Sequence, residues 1–176
     1  MSDDHHQNPP PLTNPTTTTI PLSIISNPDG TYTRSIQFPS IPPTPDHNTP
    51  SPVLSKDLPL NPKSQTWLRI YLPKQALHEP PSIPNLPLIV YFHGGGFVFL
   101  SAASTINHDF YVKVAAELSV VIVSVEYRLA PEHHLPAAYD DAVETSQWLK
   151  TTQERWLTQF CDFSCCFLMG TSAGGK

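Results

Sequence analysis

Apolar positions along this chain change their pattern at about residue 53. Residues 1–19, including PPPLTNPTTTT, form a Pro- and Thr-rich tail too poor in apolar residues to pack by itself. His5 and His6 belong to this tail and read as solvated. Between residues 20 and 38, the apolar segments IPLSIIS and TYTRSIQF flank Asn27-Pro28-Asp29-Gly30, a strong turn signal that predicts a β-hairpin. Residues 39–52, PSIPPTPDHNTPSP, read as a linker, because proline supplies no amide hydrogen to a helix or a sheet.

Beyond the linker the runs lengthen. Residues 53–60 and 66–72 predict paired antiparallel strands, the second alternating Trp67, Arg69 and Tyr71 against Leu68 and Ile70. LIVYF at 88–92 is a near-continuous apolar run, as in a strand covered on both faces, and it ends abruptly in glycines. A helix is predicted from about 105 to 118, with Ser104 as its cap and Phe110, Val114, Ala115 and Leu118 on one face. Residues 120–127, VVIVSVEY, predict a second buried strand. Pro136 opens a helix over 137–150, with Asp140 and Asp141 near its positive end and Ala138, Val143, Trp148 and Leu149 toward the sheet. Residues 165–169 complete the series as a strand. Strand, loop, helix, strand, helix, strand is the order of an α/β domain with a parallel sheet.

Composition narrows the function. Most of the 21 prolines precede residue 90, and the rest of the chain reads as an ordinary globular protein. A net charge of −5 with no block of Lys or Arg argues against nucleic acid and acidic membrane surfaces. The acidic, polar N-terminus lacks a secretory signal, and the longest apolar run, 118–125, is of strand length and holds two serines. A cytoplasmic location is expected. Cys161, Cys165 and Cys166 are too few and too close for a disulfide framework and have no C-x-x-C pair or neighbouring histidine for zinc. Core packing in a strand is expected for Cys165 and Cys166.

Three motifs carry the chemistry. HGGG at 93–96 follows an apolar strand; YRLAPE occupies 127–132; GTSAG at 170–174 follows another apolar strand. G-x-S-x-G after a strand is the turn that presents a nucleophilic serine, here Ser172, and an upstream HGGG suits the loop that binds the oxyanion. Attack on an ester carbonyl puts negative charge on its oxygen. Pre-aimed backbone N–H groups stabilise that charge, each by about 3 to 4 kcal/mol. Glycines let the main chain approach, and Ala173, after the serine, supplies a further N–H. A phosphate cradle would want Lys-Ser or Lys-Thr after the glycines, where Phe97 and Val98 stand.

HGGGF, SVEYRLAPEHHLPAAYDDA and FLMGTSAGG, in this order and spacing, resemble the plant carboxylesterases of the hormone-sensitive-lipase-like α/β-hydrolase family. The resemblance extends from the hairpin near residue 22, through SKDLPLNPKSQTWLRIYLP, to the C-terminus. It implies an α/β-hydrolase fold, represented by the N-terminal half of a mostly parallel sheet with flanking helices. Residues 1–52 would contribute to a cap over the acyl pocket, and 53–176 would be a partial hydrolase domain ending at the nucleophile turn. It implies Ser172 as nucleophile, Gly94, Gly95 and Ala173 as oxyanion donors, His93 and Gly96 as loop supports, and an architectural role for YRLAPEH that leaves Glu132, His133 and Asp141 outside the triad. Neither cofactor nor metal is implied, and the partner would be a small-molecule ester. Thr171 replaces an aspartate common in the family at a position outside the triad.

The same resemblance places the acid and histidine of the triad beyond Lys176. Among upstream histidines, His78, His93, His108, His133 and His134 offer no replacement, and Asp140 and Asp141 fit a helix start better. The 176 residues alone are therefore expected to be inactive, and their last strand to expose an apolar, aggregation-prone edge. A gibberellin-type receptor, which shares the fold but lacks the catalytic histidine, and a carboxylesterase-like dehydratase or lyase are the alternatives.

Overall fold

The computed structural model describes residues 22–77 and 85–176; the Pro- and Thr-rich tail and His78 lie outside them. The predicted hairpin forms, as strands β1 (Ile24–Ser26) and β2 (Tyr32–Arg34), paired antiparallel around Gly30, whose φ of 82° is one that glycine tolerates. The linker contains no regular element beyond an isolated bridge from Ser40 to Ser104.

The remaining strands, β3 (Val53–Asn61), β4 (Thr66–Pro73), β5 (Leu86–Phe92), β6 (Val121–Glu126) and β7 (Cys161–Gly170), build one sheet in the order β3-β4-β6-β5-β7. The β3-β4 and β4-β6 pairs are antiparallel, while β5 pairs in parallel with β6 and β7, so the sheet is mixed. Helix α1 (Thr105–Leu118) covers one face; α2 (Ala137–Thr151) and the short α3 (Arg155–Phe160) flank the other.

The period-two alternation of strands splits the core accordingly. Ile89, Tyr91 and Ile122 pack with Tyr71, Tyr111 and Ala115 on the α1 side. Leu88, Val90 and Val123 pack with Ala138 and Leu157 on the other. Three tyrosines, Tyr71, Tyr111 and Tyr91, form an edge-to-face series with ring centroids 5.2 and 4.8 Å apart. Among the described residues no helix is long and apolar enough to cross a membrane.

Ala115 and Val114 in α1 and Ala138, Trp148 and Leu149 in α2 pack toward the sheet as expected, but the rest of both predicted faces needs correction. In α1 the buried positions are His108, Tyr111 and Ala115, while Phe110 and Leu118 are exposed. The aromatic rings of the sheet select that stripe: the Tyr71 and His108 ring centroids lie 5.5 Å apart, and the Tyr71 hydroxyl hydrogen-bonds the His108 Nδ1. Ser104 occupies the cap position, but its side chain instead accepts from the Ser101 amide. In α2, Val143 points outward because the helix turns on a polar anchor, the fully buried Asp141 held by Arg128. Arg69, in the alternating stretch of β4, is likewise buried, its guanidinium gripped by Asp57 and by the Ile41 carbonyl of the linker.

The cysteines divide. Cys161 is buried, and burial pushes its thiol up to about 12. Cys165 is half-buried and Cys166 exposed, contrary to the core packing expected of them. The cause is that β7 pairs only with β5, leaving its outer edge uncovered. Phe167 and Leu168, at 56% and 72% exposure, stand on opposite faces of that edge. Light scattering of the purified 176-residue chain should show self-association, and Leu168→Lys should shift it toward monomer, since a charge blocks edge-to-edge pairing. A wild-type chain that runs as a monodisperse monomer would contradict this.

Candidate active site

Parallel pairing brings the three motifs together. Phe92, the last residue of β5, is opposite Val125 of β6 and Gly170, the last of β7. The segments that follow, 93–96, 127–132 and 171–175, therefore leave the sheet at one end, where α/β proteins place their sites.

Ser172 begins a 3-10 turn, Ser172–Gly175, and adopts φ 54°, in the left-handed region that a non-glycine residue occupies only when its surroundings hold it there. Those surroundings are main-chain contacts. The Thr171 amide donates to the Phe92 carbonyl at 3.3 Å, and the Gly174 amide to the Thr171 carbonyl at 3.0 Å. Two glycines make the turn possible by lacking a side chain. A Cβ on Gly170 would lie 2.0 Å from the Gly174 oxygen, and one on Gly174 would lie 2.1 Å from the Phe92 oxygen. The Thr171 hydroxyl hydrogen-bonds the Tyr91 hydroxyl, so the threonine is tied to the aromatic series beneath α1.

The glycine loop abuts this turn. A Cβ on Gly94 would stand 2.9 Å from the Thr171 oxygen and 3.6 Å from the Ser172 Cβ. Gly95 (φ 108°) and Gly96 (φ 67°) are followed by two non-glycine residues in the same strained region, Phe97 (φ 61°) and Leu100 (φ 70°). The Val98 and Phe99 amides both donate to the Gly95 carbonyl, closing the loop tightly. Among the described residues, the amides of Gly94, Gly95 and Ala173 donate to no main-chain carbonyl. Of the three, Gly94 abuts Ser172 and Ala173 follows it in the turn.

His93 supports the loop from beneath. It is fully buried, its ring stacked on Tyr127 at 4.3 Å. Its Nδ1 lies 2.8 Å from the Gly94 carbonyl, which can only accept, so Nδ1 carries the hydrogen. The Tyr127 hydroxyl donates to the His93 carbonyl at 2.5 Å. Among the described residues Nε2 finds no hydrogen-bond partner, and it faces Glu126 at 3.9 Å. Burial lowers the imidazole to about 4, so the two form no ion pair at neutral pH. Glu126, missed in the sequence, is itself raised by burial, although the Ala102 amide and Ser101 hydroxyl donate to it.

This burial has a sign. The unfolded chain protonates His93 near pH 6.5 and the folded one only near 4, so stability is full above about 6.5 and declines as the pH falls toward 4. The loss is on the order of 3 kcal/mol at most. The raised Glu126 acts oppositely, gaining stability as it protonates. Urea titrations from pH 7 to 4 should show the decline, and His93→Asn should flatten it; an unchanged slope in the variant would contradict the assignment.

The other named residues lie in ion pairs, at the surface or under a helix. Arg128 pairs with Asp141 at 2.7 Å, and Glu132 pairs with Arg34. His133 and His134 are exposed, and His108 lies under α1. No side chain of the described residues hydrogen-bonds the exposed Ser172 hydroxyl. A cavity of about 580 Å³ lies beside the turn, lined by Phe97, Tyr127, Tyr139, Ala142, Leu168 and Ala173. A second, of about 410 Å³, lies between the hairpin and the glycine loop, against Tyr32, Phe38, Phe99 and Leu100.

Residues 89–176 match the model of a family described by its alpha/beta hydrolase fold. Carboxylesterase 20 of Arabidopsis thaliana is 51% identical over 157 residues, which are 88% of this chain and 48% of that protein. The 3-O-acetylpapaveroxine carboxylesterase CXE1 of Papaver somniferum is 49% identical over 165 residues, again 88% of this chain and 48% of that one. The chain thus spans about half the length of the curated relatives it matches. Among solved structures, a Pyrobaculum calidifontis esterase superposes with a TM-score of 0.54 at 33% identity, covering 68% of this chain and 36% of its own. The thermostable carboxylesterase EstE1, from a metagenomic library, gives 0.53 at 28%, covering 79% and 40%.

Proposed function

Since the chain belongs to the α/β-hydrolase family, we propose that it carries the nucleophile half of a carboxylic ester hydrolase acting by acyl transfer through Ser172. The observation that carries this reading is the abutment of Gly94 on the Thr171–Ser172 main chain, beside an exposed serine held at φ 54°. The serine oxygen attacks the ester carbonyl, and the developing oxyanion accepts hydrogen bonds from the Gly94, Gly95 and Ala173 amides. The alcohol leaves, and water then hydrolyses the acyl-enzyme.

The proton of Ser172 needs a base. His93 is unsuited, since its Nδ1 hydrogen is committed to Gly94 and its ring is buried behind the loop. The base and its orienting acid would come from the half of the relatives' length that this chain does not span. Residues 22–52 would contribute to the cap over the acyl pocket, and residues 53–176 would form the partial catalytic domain. The test is hydrolysis of a p-nitrophenyl ester by residues 1–176 joined to the second half of a relative. Turnover that Ser172→Ala removes supports the reading; turnover indifferent to Ser172 contradicts it.

A further inference from the structure

The glycine loop holds four consecutive-neighbourhood residues at positive φ, two of them, Phe97 and Leu100, not glycine. Such a loop stays in place only when groups outside it fix its geometry. One side chain does this from far away in sequence. The guanidinium of Arg34, on β2 of the hairpin, donates through Nε to the Val98 carbonyl at 2.6 Å, between the two strained residues. Through Nη2 it donates to the Ala130 carbonyl at 2.9 Å, and through Nη1 and Nη2 to Glu132 at 2.8 and 2.6 Å. The clamped segments also grip one another, because the Ala130 amide donates to the Phe97 carbonyl at 2.7 Å.

We propose that Arg34 is a positioning residue, coupling the N-terminal hairpin to the glycine loop so that the Gly94 and Gly95 amides stay aimed beside Ser172. The proposal rests on the acyl-transfer reading for its catalytic meaning, but its geometry stands apart from it. With four of its N–H groups engaged, Arg34 is a fork tying the hairpin to two other segments rather than a receptor for a substrate carboxylate. A half-exposed Arg–Glu pair alone would contribute little; the two carbonyl bonds are what distinguish this one. Displacing Arg34 would let Phe97 and Leu100 relax, and Gly95 would move with them.

Hydrogen exchange on the 176-residue chain tests this without needing turnover. In Arg34→Ala the amides of Val98, Phe99 and Ala130 should exchange at least about tenfold faster, while β5 and β6 keep their protection. Glu132→Gln, which spares both carbonyl bonds, should change exchange much less. Arg34→Lys, a point charge without the fork, should give partial rescue. In the fused protein, Arg34→Ala should lower kcat and leave KM nearly unchanged. Equal loosening of loop and sheet would reduce Arg34 to a general stabilising contact and overturn the proposal, as would unchanged loop exchange. A fused protein whose activity ignores Ser172 would defeat the acyl-transfer reading while leaving the exchange result to decide the clamp.

Discussion

Replacing Gly174 with alanine is expected to destabilise the chain by about 3 kcal/mol or more, lowering the thermal midpoint by on the order of 10 °C. The added Cβ would sit 2.1 Å from the Phe92 oxygen and 2.6 Å from the His93 oxygen, both main-chain atoms at the end of β5. No rotamer change relieves such a clash, so the nucleophile turn has to move off the sheet and give up the Thr171–Phe92 hydrogen bond. Gly96→Ala is the informative contrast. Its Cβ would meet open space, and only the left-handed φ of 67° is unfavourable, costing about 1 to 2 kcal/mol. Thermal melts of both variants decide the matter. Equal losses would mean that close approach is not what demands glycine at position 174.

How much of this was legible beforehand depends on what kind of force sets each feature. Strand runs such as 88–92 and 120–127 announced themselves because burial on both faces needs continuous apolar sequence. The hairpin followed from the chemistry of Asn27 to Gly30. The close-packed turn at Gly170–Gly174 and its contact with Gly94 were readable because glycine there answers to local main-chain approach, which a short motif can encode. Helix faces were legible only in part, because polar partners distant in sequence override hydrophobic periodicity at some positions. Asp141 turns inward for Arg128, and His108 for Tyr71. Helix α3 went unpredicted; only six residues long, it shows little periodicity, and its start relies on Glu154 accepting from the Trp156 amide. Arg34 reads in sequence as one more basic residue in a hairpin, and its three contact residues lie 64 to 98 positions away.

The second large effect concerns Ser172. In a protein that couples residues 1–176 to a histidine and an acid, Ser172→Ala should reduce ester hydrolysis on the order of 10⁵-fold, about 7 kcal/mol of transition-state stabilisation. The loss should fall on kcat, because the substitution leaves the proposed oxyanion amides of Gly94, Gly95 and Ala173 in place. The 176 residues alone should show negligible turnover with or without the serine, since no base among the described residues reaches it. Ser172-dependent hydrolysis by the short chain would show that one of its own side chains can serve as the base.

The most direct measurement is therefore p-nitrophenyl acetate hydrolysis by residues 1–176 fused to the second half of Arabidopsis carboxylesterase 20, compared with the same fusion bearing Ser172→Ala. The account predicts robust turnover in the first and a loss of several orders of magnitude in the second. Comparable rates in a folded pair would contradict it.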